Sequence, residues 1–229
     1  MLSLAVVPVL IVLMYIYIRD RYEKEPIRLL VVGIIAGLVI TYPVIYTSLA
    51  VSGLAAFLPV QGRLSEAAYS AFAVAAFTET AFKFAALYFL TWRNPNLNEP
   101  VDGIVYSVFI SLGFAGAENV LYVLHPYLGG MGTAFVRALV SIPAHALFAI
   151  TTGYYFAMAR FEKEKSKQRV NLFKAFAVTW LIHGIYDFML LSEMFVLLLL
   201  FVPFLFWLWH NGLNKIQRHL DISPFKRKI

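Results

Sequence analysis

The feature that most limits what this chain can fold into is a series of long apolar runs, among them Leu2 to Ile18, Leu29 to Ala50 and Met194 to Trp209. A helix needs roughly 20 apolar residues to cross the hydrocarbon core of a bilayer. Closed β-barrels also span membranes, but their strands alternate apolar and polar residues over about ten positions. These runs do not alternate, so the sequence predicts helices. Charged residues make up only 14% of the chain, against about 25% in a soluble domain. The expected fold is therefore all-α, a polytopic transmembrane helical bundle of about seven to eight helices. The spans fall near 2–18, 29–50, 67–92, 101–124, 133–159, 172–191 and 194–210, in one integral-membrane domain over 1–229 with a basic cytoplasmic tail from 211. The last two spans are separated only by Ser192 and Glu193, which predicts a tight hairpin or an interrupted helix. The first run has no basic leader and ends in Arg19-Asp20-Arg21 instead of a small-residue cleavage site, so it reads as a retained helix.

The net charge of +6 does not predict nucleic-acid binding, because the basic residues flank the apolar runs and serve topology and lipid contact. Sixteen of the 19 lie in the 19–28, 93–100 and 160–174 segments or the tail, while the opposite side carries Arg63 and Arg137. This asymmetry predicts an outside N-terminus and a cytoplasmic C-terminus in the cell membrane. The chain has no cysteine, which excludes disulfides and thiolate-ligated metals.

Ionisable groups near the bilayer centre are costly, by about 2.5–3.5 kcal/mol each on insertion scales, so each needs a reason. The sequence places Glu79 and Lys83 in the third span, Glu118 with Asn119 in the fourth, His145 in the fifth, and His183 with Asp187 in the sixth. At about 1.5 Å of rise per residue, Glu79 and His145 lie some 18 Å below the outer end, His183 about 12 Å and Glu118 about 9 Å. Four helices thus aim polar groups at one layer of the membrane. Glu79 and Lys83 are four residues apart and share a helical face, as do His183 and Asp187. Asp187 can orient the His183 ring by accepting its second N–H. Pro143 removes a helical hydrogen bond two residues before His145 and should distort the fifth span there. Each pair alone could be structural glue between helices. His125, His210 and His219 read as surface residues. Walker A, GxSxG and HExxH patterns are absent from the sequence.

Five segments in order carry a family resemblance: Tyr17 to Pro26 with its acidic-proline end, Phe77-Thr78-Glu79-Thr80-Ala81-Phe82-Lys83, Gly113 to Asn119, Pro143-Ala144-His145-Ala146, and His183-Gly184-Ile185-Tyr186-Asp187. Together they make the chain similar to the PrsW family of intramembrane proteases, within a wider group of CAAX-processing and bacteriocin-immunity (CPBP, or Abi) proteins. Thr80 stands where the family's Glu-Glu-x-x-Lys element has its second glutamate, a departure that bears on activity and not on fold.

The resemblance implies hydrolysis of a peptide bond inside the membrane, with Glu79, Glu118, His145, His183, Asp187 and Lys83 as site residues. In the preferred reading Glu79 is general base on a water, Glu118 positions the water or a histidine, and His183 stabilises the oxyanion; no cofactor is required. A zinc version would use Glu79, Glu118, His145 and His183, with the ion lowering the pKa of its water. An ion or proton carrier and an inactive membrane-binding homologue are the rival classes. By resemblance, the partner is a single-span membrane protein such as an anti-sigma factor.

Overall fold

The computed structural model describes residues 2–127 and 129–226. The last basic residues of the expected tail, Arg227 and Lys228, lie outside them. Among the described residues there is no strand, and seven helices are long and apolar enough to cross a membrane. They are α1 (Leu2–Arg19), α2 (Ile27–Phe57), α3 (Arg63–Thr91), α4 (Pro100–Leu124), α5 (Met131–Phe161), α6 (Lys165–Leu191) and α7 (Phe195–Asp221). The α6–α7 turn is tight, with Glu193 in the left-handed region at φ 53°.

The bundle is built around α4. Residues 101–115 of α4 are all buried, because α1, α2, α3, α5 and α7 pack around it. A helix that is apolar all round is expected at such a position. Outer helices instead expose large apolar side chains such as Leu10, Ile11, Phe89 and Phe206, as lipid contact requires.

Small residues set the closest crossings. A Cβ built on Gly113 of α4 would lie 2.3 Å from the Ile34 carbonyl oxygen of α2, and one on Gly153 of α5 would lie 2.3 Å from the Gly103 oxygen. Both crossings are backbone on backbone, the contact that drives helix association where no hydrophobic effect separates protein from lipid.

Two helices outrun the spans read from hydropathy. α6 begins at Lys165 instead of near 172, and α7 continues to Asp221 instead of giving way to a tail at 211. Beyond the lipid, α7 still buries Gly212, Ile216, His219 and Leu220, so packing sustains the helix. His219 is accordingly not a surface residue. It is 1% exposed and stacks on Tyr154 with ring centroids 4.3 Å apart. His210 and His125 are exposed, as expected.

Candidate active site

Local helix geometry prepares the site. Residues Tyr69–Phe77 of α3 form a π-helical stretch that returns to α-helix at Thr78, immediately before Glu79. The widened turns leave backbone groups that side chains satisfy: Trp180 of α6 donates to the Phe72 carbonyl at 2.8 Å, and Thr78 donates to the Val74 carbonyl at 2.6 Å. Phe72 itself sits against Gly184, where a Cβ would meet its ring at 2.2 Å, so the residue beside His183 lets α3 approach α6. A second π-helical turn, Arg137–Ser141, precedes Pro143 in α5. Proline lacks the N–H and its ring crowds the preceding turn; a wider turn there relieves both and carries Arg137 and His145 to the same side. Such π segments recur at functional sites.

The side chains named from sequence converge. Glu79 accepts from Lys83 at 2.7 Å, and the Lys83 ammonium lies 3.1 Å from His145 Nδ1 and over the Phe114 ring. On its other side His145 Nε2 is 3.2 Å from Glu118 Oε2. Because the ammonium can only donate, Nδ1 accepts and Nε2 carries the proton that goes to Glu118. Glu79 Oε2 itself lies 4.0 Å from His145 Nδ1. His183 Nε2 meets Asp187 Oδ2 at 3.2 Å, and Phe148 stacks on the His183 ring at 4.6 Å. All six residues except Lys83 line one cavity of about 360 Å³. Glu79 (7% exposed), His145 (5%) and His183 (4%) are almost fully removed from the protein surface.

Sequence reasoning missed Arg137, which was counted only for topology. It donates to Glu118 at 2.9 Å and to Asn119 at 2.9 Å, and its guanidinium covers Tyr122. Asn119 in turn donates to the Ala5 carbonyl of α1 at 2.9 Å. The available signal was an arginine eight residues before His145, two turns up the same helical face. Each glutamate of the site therefore has its own cation, Lys83 for Glu79 and Arg137 for Glu118, which is how charges persist at membrane depth.

Thr80 is buried and lies against the site from another side. With Lys83 and His183, and with Ser111, Thr152 and Thr179, it bounds a void of about 20 Å³, whereas Glu79 lines the larger cavity. A second cleft of about 560 Å³ runs between α2, α3 and α4, lined by Ile45, Ser48, Leu49, Leu121 and Tyr122, and shares Glu79 and Glu118 with the cavity.

A membrane-embedded helical bundle that gathers a paired glutamate, histidines and cationic donors around a cavity defines an intramembrane hydrolase class. A family model described as "PrsW family intramembrane metalloprotease" matches residues 25–208, and the chain belongs to the PrsW family of intramembrane proteases. It is 35% identical to "Protease PrsW" of Clostridioides difficile (strain 630), over 96% of this chain and 91% of that protein. It is also 35% identical to "Protease PrsW" of Geobacillus kaustophilus (84% and 80% covered) and 30% identical to that of Bacillus subtilis (strain 168) (97% and 96% covered). No solved structure matches the chain. The chain is thus a multi-pass membrane protease, and the ion-carrier alternative falls away.

The family description names a metal, and the donor set can be tested for one. Lys83 Nζ occupies the space between Glu79 and His145 Nδ1, and Arg137 holds Glu118. Two cations already stand where an ion would need bare ligands. In this arrangement the residues do not fit a metal.

Proposed function

We propose that the chain hydrolyses a peptide bond in a single-span membrane protein, with Glu79 as general base and no metal in the reaction. The observation that carries this reading is the continuous run Glu79–Lys83–His145–Glu118–Arg137, whose members other than Lys83 line one cavity. Glu79 takes a proton from a water in the cavity, and the hydroxide oxygen bonds to the scissile carbonyl carbon. The carbonyl π pair moves to oxygen, and the charged His183 ring, held by Asp187, offers its Nδ1–H to that oxyanion. The C–N bond then breaks as Glu79 returns its proton to the leaving nitrogen. His145 and Glu118 are positioning residues that hold the Lys83 ammonium against Glu79.

The cleft between α2 and α4 supports lateral entry of a substrate helix, since its walls are apolar and it ends on Glu79 and Glu118. The asymmetry of basic residues supports a cell-membrane location with the N-terminus outside, and the family resemblance supports an anti-sigma-factor-like protein as substrate. The test is cleavage in proteoliposomes of a panel of single-span proteins, beside a soluble unfolded polypeptide of similar length. Cleavage of single-span chains near the outer end of their membrane segment is the expected result. Equal cleavage of the soluble polypeptide would contradict lateral entry.

A further inference from the structure

At the end of the bundle that carries the basic loops, five acids that play no part in the active site gather from three elements. Asp20, Glu23 and Glu25 come from the α1–α2 loop, Glu99 from the α3–α4 loop and Asp102 from the first turn of α4. Oxygens of Asp20, Glu99 and Asp102 lie within 4.8 Å of one another, and so do those of Glu23, Glu25 and Asp102. Asp102 belongs to both groups and joins them. Asp20, Glu25, Glu99 and Asp102 are each 0–1% exposed.

Hydrogen bonding leaves this cluster unfinished in a consistent way. Asp102 accepts at Oδ2 from the backbone N–H groups of Asn98 and Glu99, at 2.8 and 2.7 Å, and its Oδ1 has no partner. Glu25 accepts at Oε2 from the Tyr106 hydroxyl, and its Oε1 has none. Both oxygens of Asp20 are buried without a hydrogen-bond partner, as is Glu23 Oε2, while Glu99 caps α4 by accepting from the Asp102 backbone N–H. Buried polar atoms are otherwise almost always hydrogen-bonded, and an unpaired buried charge is among the costliest features a fold can carry. Basic side chains do not supply the missing charge. Lys24 spends its ammonium on the Tyr17 and Asp20 carbonyls, and among the described residues none of these acids forms an ion pair with a lysine or arginine.

We infer that this cluster is a binding site for one hard divalent cation of the Ca²⁺ and Mg²⁺ class, held by Asp20, Glu99 and Asp102 with Glu25 and Glu23 beside them. Oxygens that share a Ca²⁺ ion at 2.3–2.6 Å lie at most about 5 Å apart, which is the spacing of these groups. An all-oxygen, all-carboxylate donor set selects hard cations over zinc or copper. The unpartnered Asp20 carboxylate, fully buried and facing Glu99 and Asp102, is the group that most needs such an ion. Left with protein neighbours alone, burial and the nearby Glu99 push Asp20 up to about 7, and burial pushes Glu25 up to about 7. A bound cation would keep both ionised and tie the two loops to the start of the central helix.

The experiment is Mn²⁺ binding to the purified full-length chain in uncharged detergent, read by electron paramagnetic resonance, with Ca²⁺ and Mg²⁺ as competitors and thermal unfolding in parallel. One Mn²⁺ per chain, displaced by Ca²⁺ or Mg²⁺, is expected. A cation at a hundredfold excess over its Kd should raise Tm by roughly 5–10 °C. Asp20→Asn and Glu99→Gln should abolish both signals, the half-buried Glu23→Gln should weaken affinity several-fold, and Glu79→Gln and Glu118→Gln should keep both. If Asp20→Asn fails to fold, wild-type stoichiometry and Glu23→Gln still decide. The inference is overturned if wild type binds no Mn²⁺, if binding is lost in Glu118→Gln but kept in Asp20→Asn, or if Asp20→Asn raises Tm while cations change nothing. That last pattern is what relief of unbalanced burial would give.

Discussion

Glu79→Gln should reduce cleavage of a single-span substrate by about 10³-fold or more while the protein remains folded. General-base catalysis by a positioned carboxylate contributes typically 10²–10⁴-fold, and here the same group also returns the proton to the leaving nitrogen, so its loss removes two steps. The amide is nearly isosteric and still accepts the Lys83 hydrogen bond now made at 2.7 Å. It cannot hold the water's proton. The variant leaves Lys83 with acceptors at position 79 and at His145 but without its counter-charge, so it should lose some stability, less than Lys83→Met, and still bind substrate. The check is a single-turnover cleavage assay beside a thermal melt in the same detergent. Retention of a tenth or more of the wild-type rate would remove Glu79 from the role of base.

Lys83→Met should destabilise the fold by about 3 kcal/mol, the low end of the range for breaking a buried ion pair by removing one partner. Glu79 would keep its charge in a buried position and lose its only cation, since Arg137 is engaged by Glu118. His145 would also lose the donor at Nδ1. Combining Lys83→Met with Glu79→Gln should restore most of that stability, because a neutral amide beside a thioether carries no uncompensated charge, and neither variant should cleave. The measurement is a double-mutant cycle on reversible unfolding in mixed micelles, where groups in contact show coupling of about 0.5–3 kcal/mol. Additive losses would mean that the two charges do not depend on each other.

How far the sequence carried these conclusions differs from part to part, for physical reasons. The seven spans were legible because the bilayer demands uninterrupted apolar length, a signal few other folds produce. The ends of α6 and α7 were not. Past the lipid, α7 keeps a single buried stripe through Gly212, Ile216 and Leu220, and averaged hydropathy is blind to one stripe. The same stripe hid the burial of His219. The convergence of Glu79, Lys83, Glu118, His145, His183 and Asp187 was legible because charges in apolar helices need a common reason. Their pairing across helices was not, and Arg137 looked like a topology residue until its bonds to Glu118 and Asn119 were seen. The π-helical turns before Glu79 and Pro143 left no mark in composition, although Pro143 correctly marked the distorted region. Nothing local in the sequence marks Asp20, Glu25 and Glu99 for burial, and only the packing of two loops against α4 buries them together.

The central claim is that a buried carboxylate, and not a metal ion, activates water in this site. The measurement that tests it most directly is cleavage of one single-span substrate by wild-type protein stripped with a zinc-selective chelator, with and without added Zn²⁺. The account predicts an unchanged rate in all conditions. Loss of cleavage on stripping, restored by stoichiometric Zn²⁺, would contradict it and would mean that Lys83 moves aside to let a metal in.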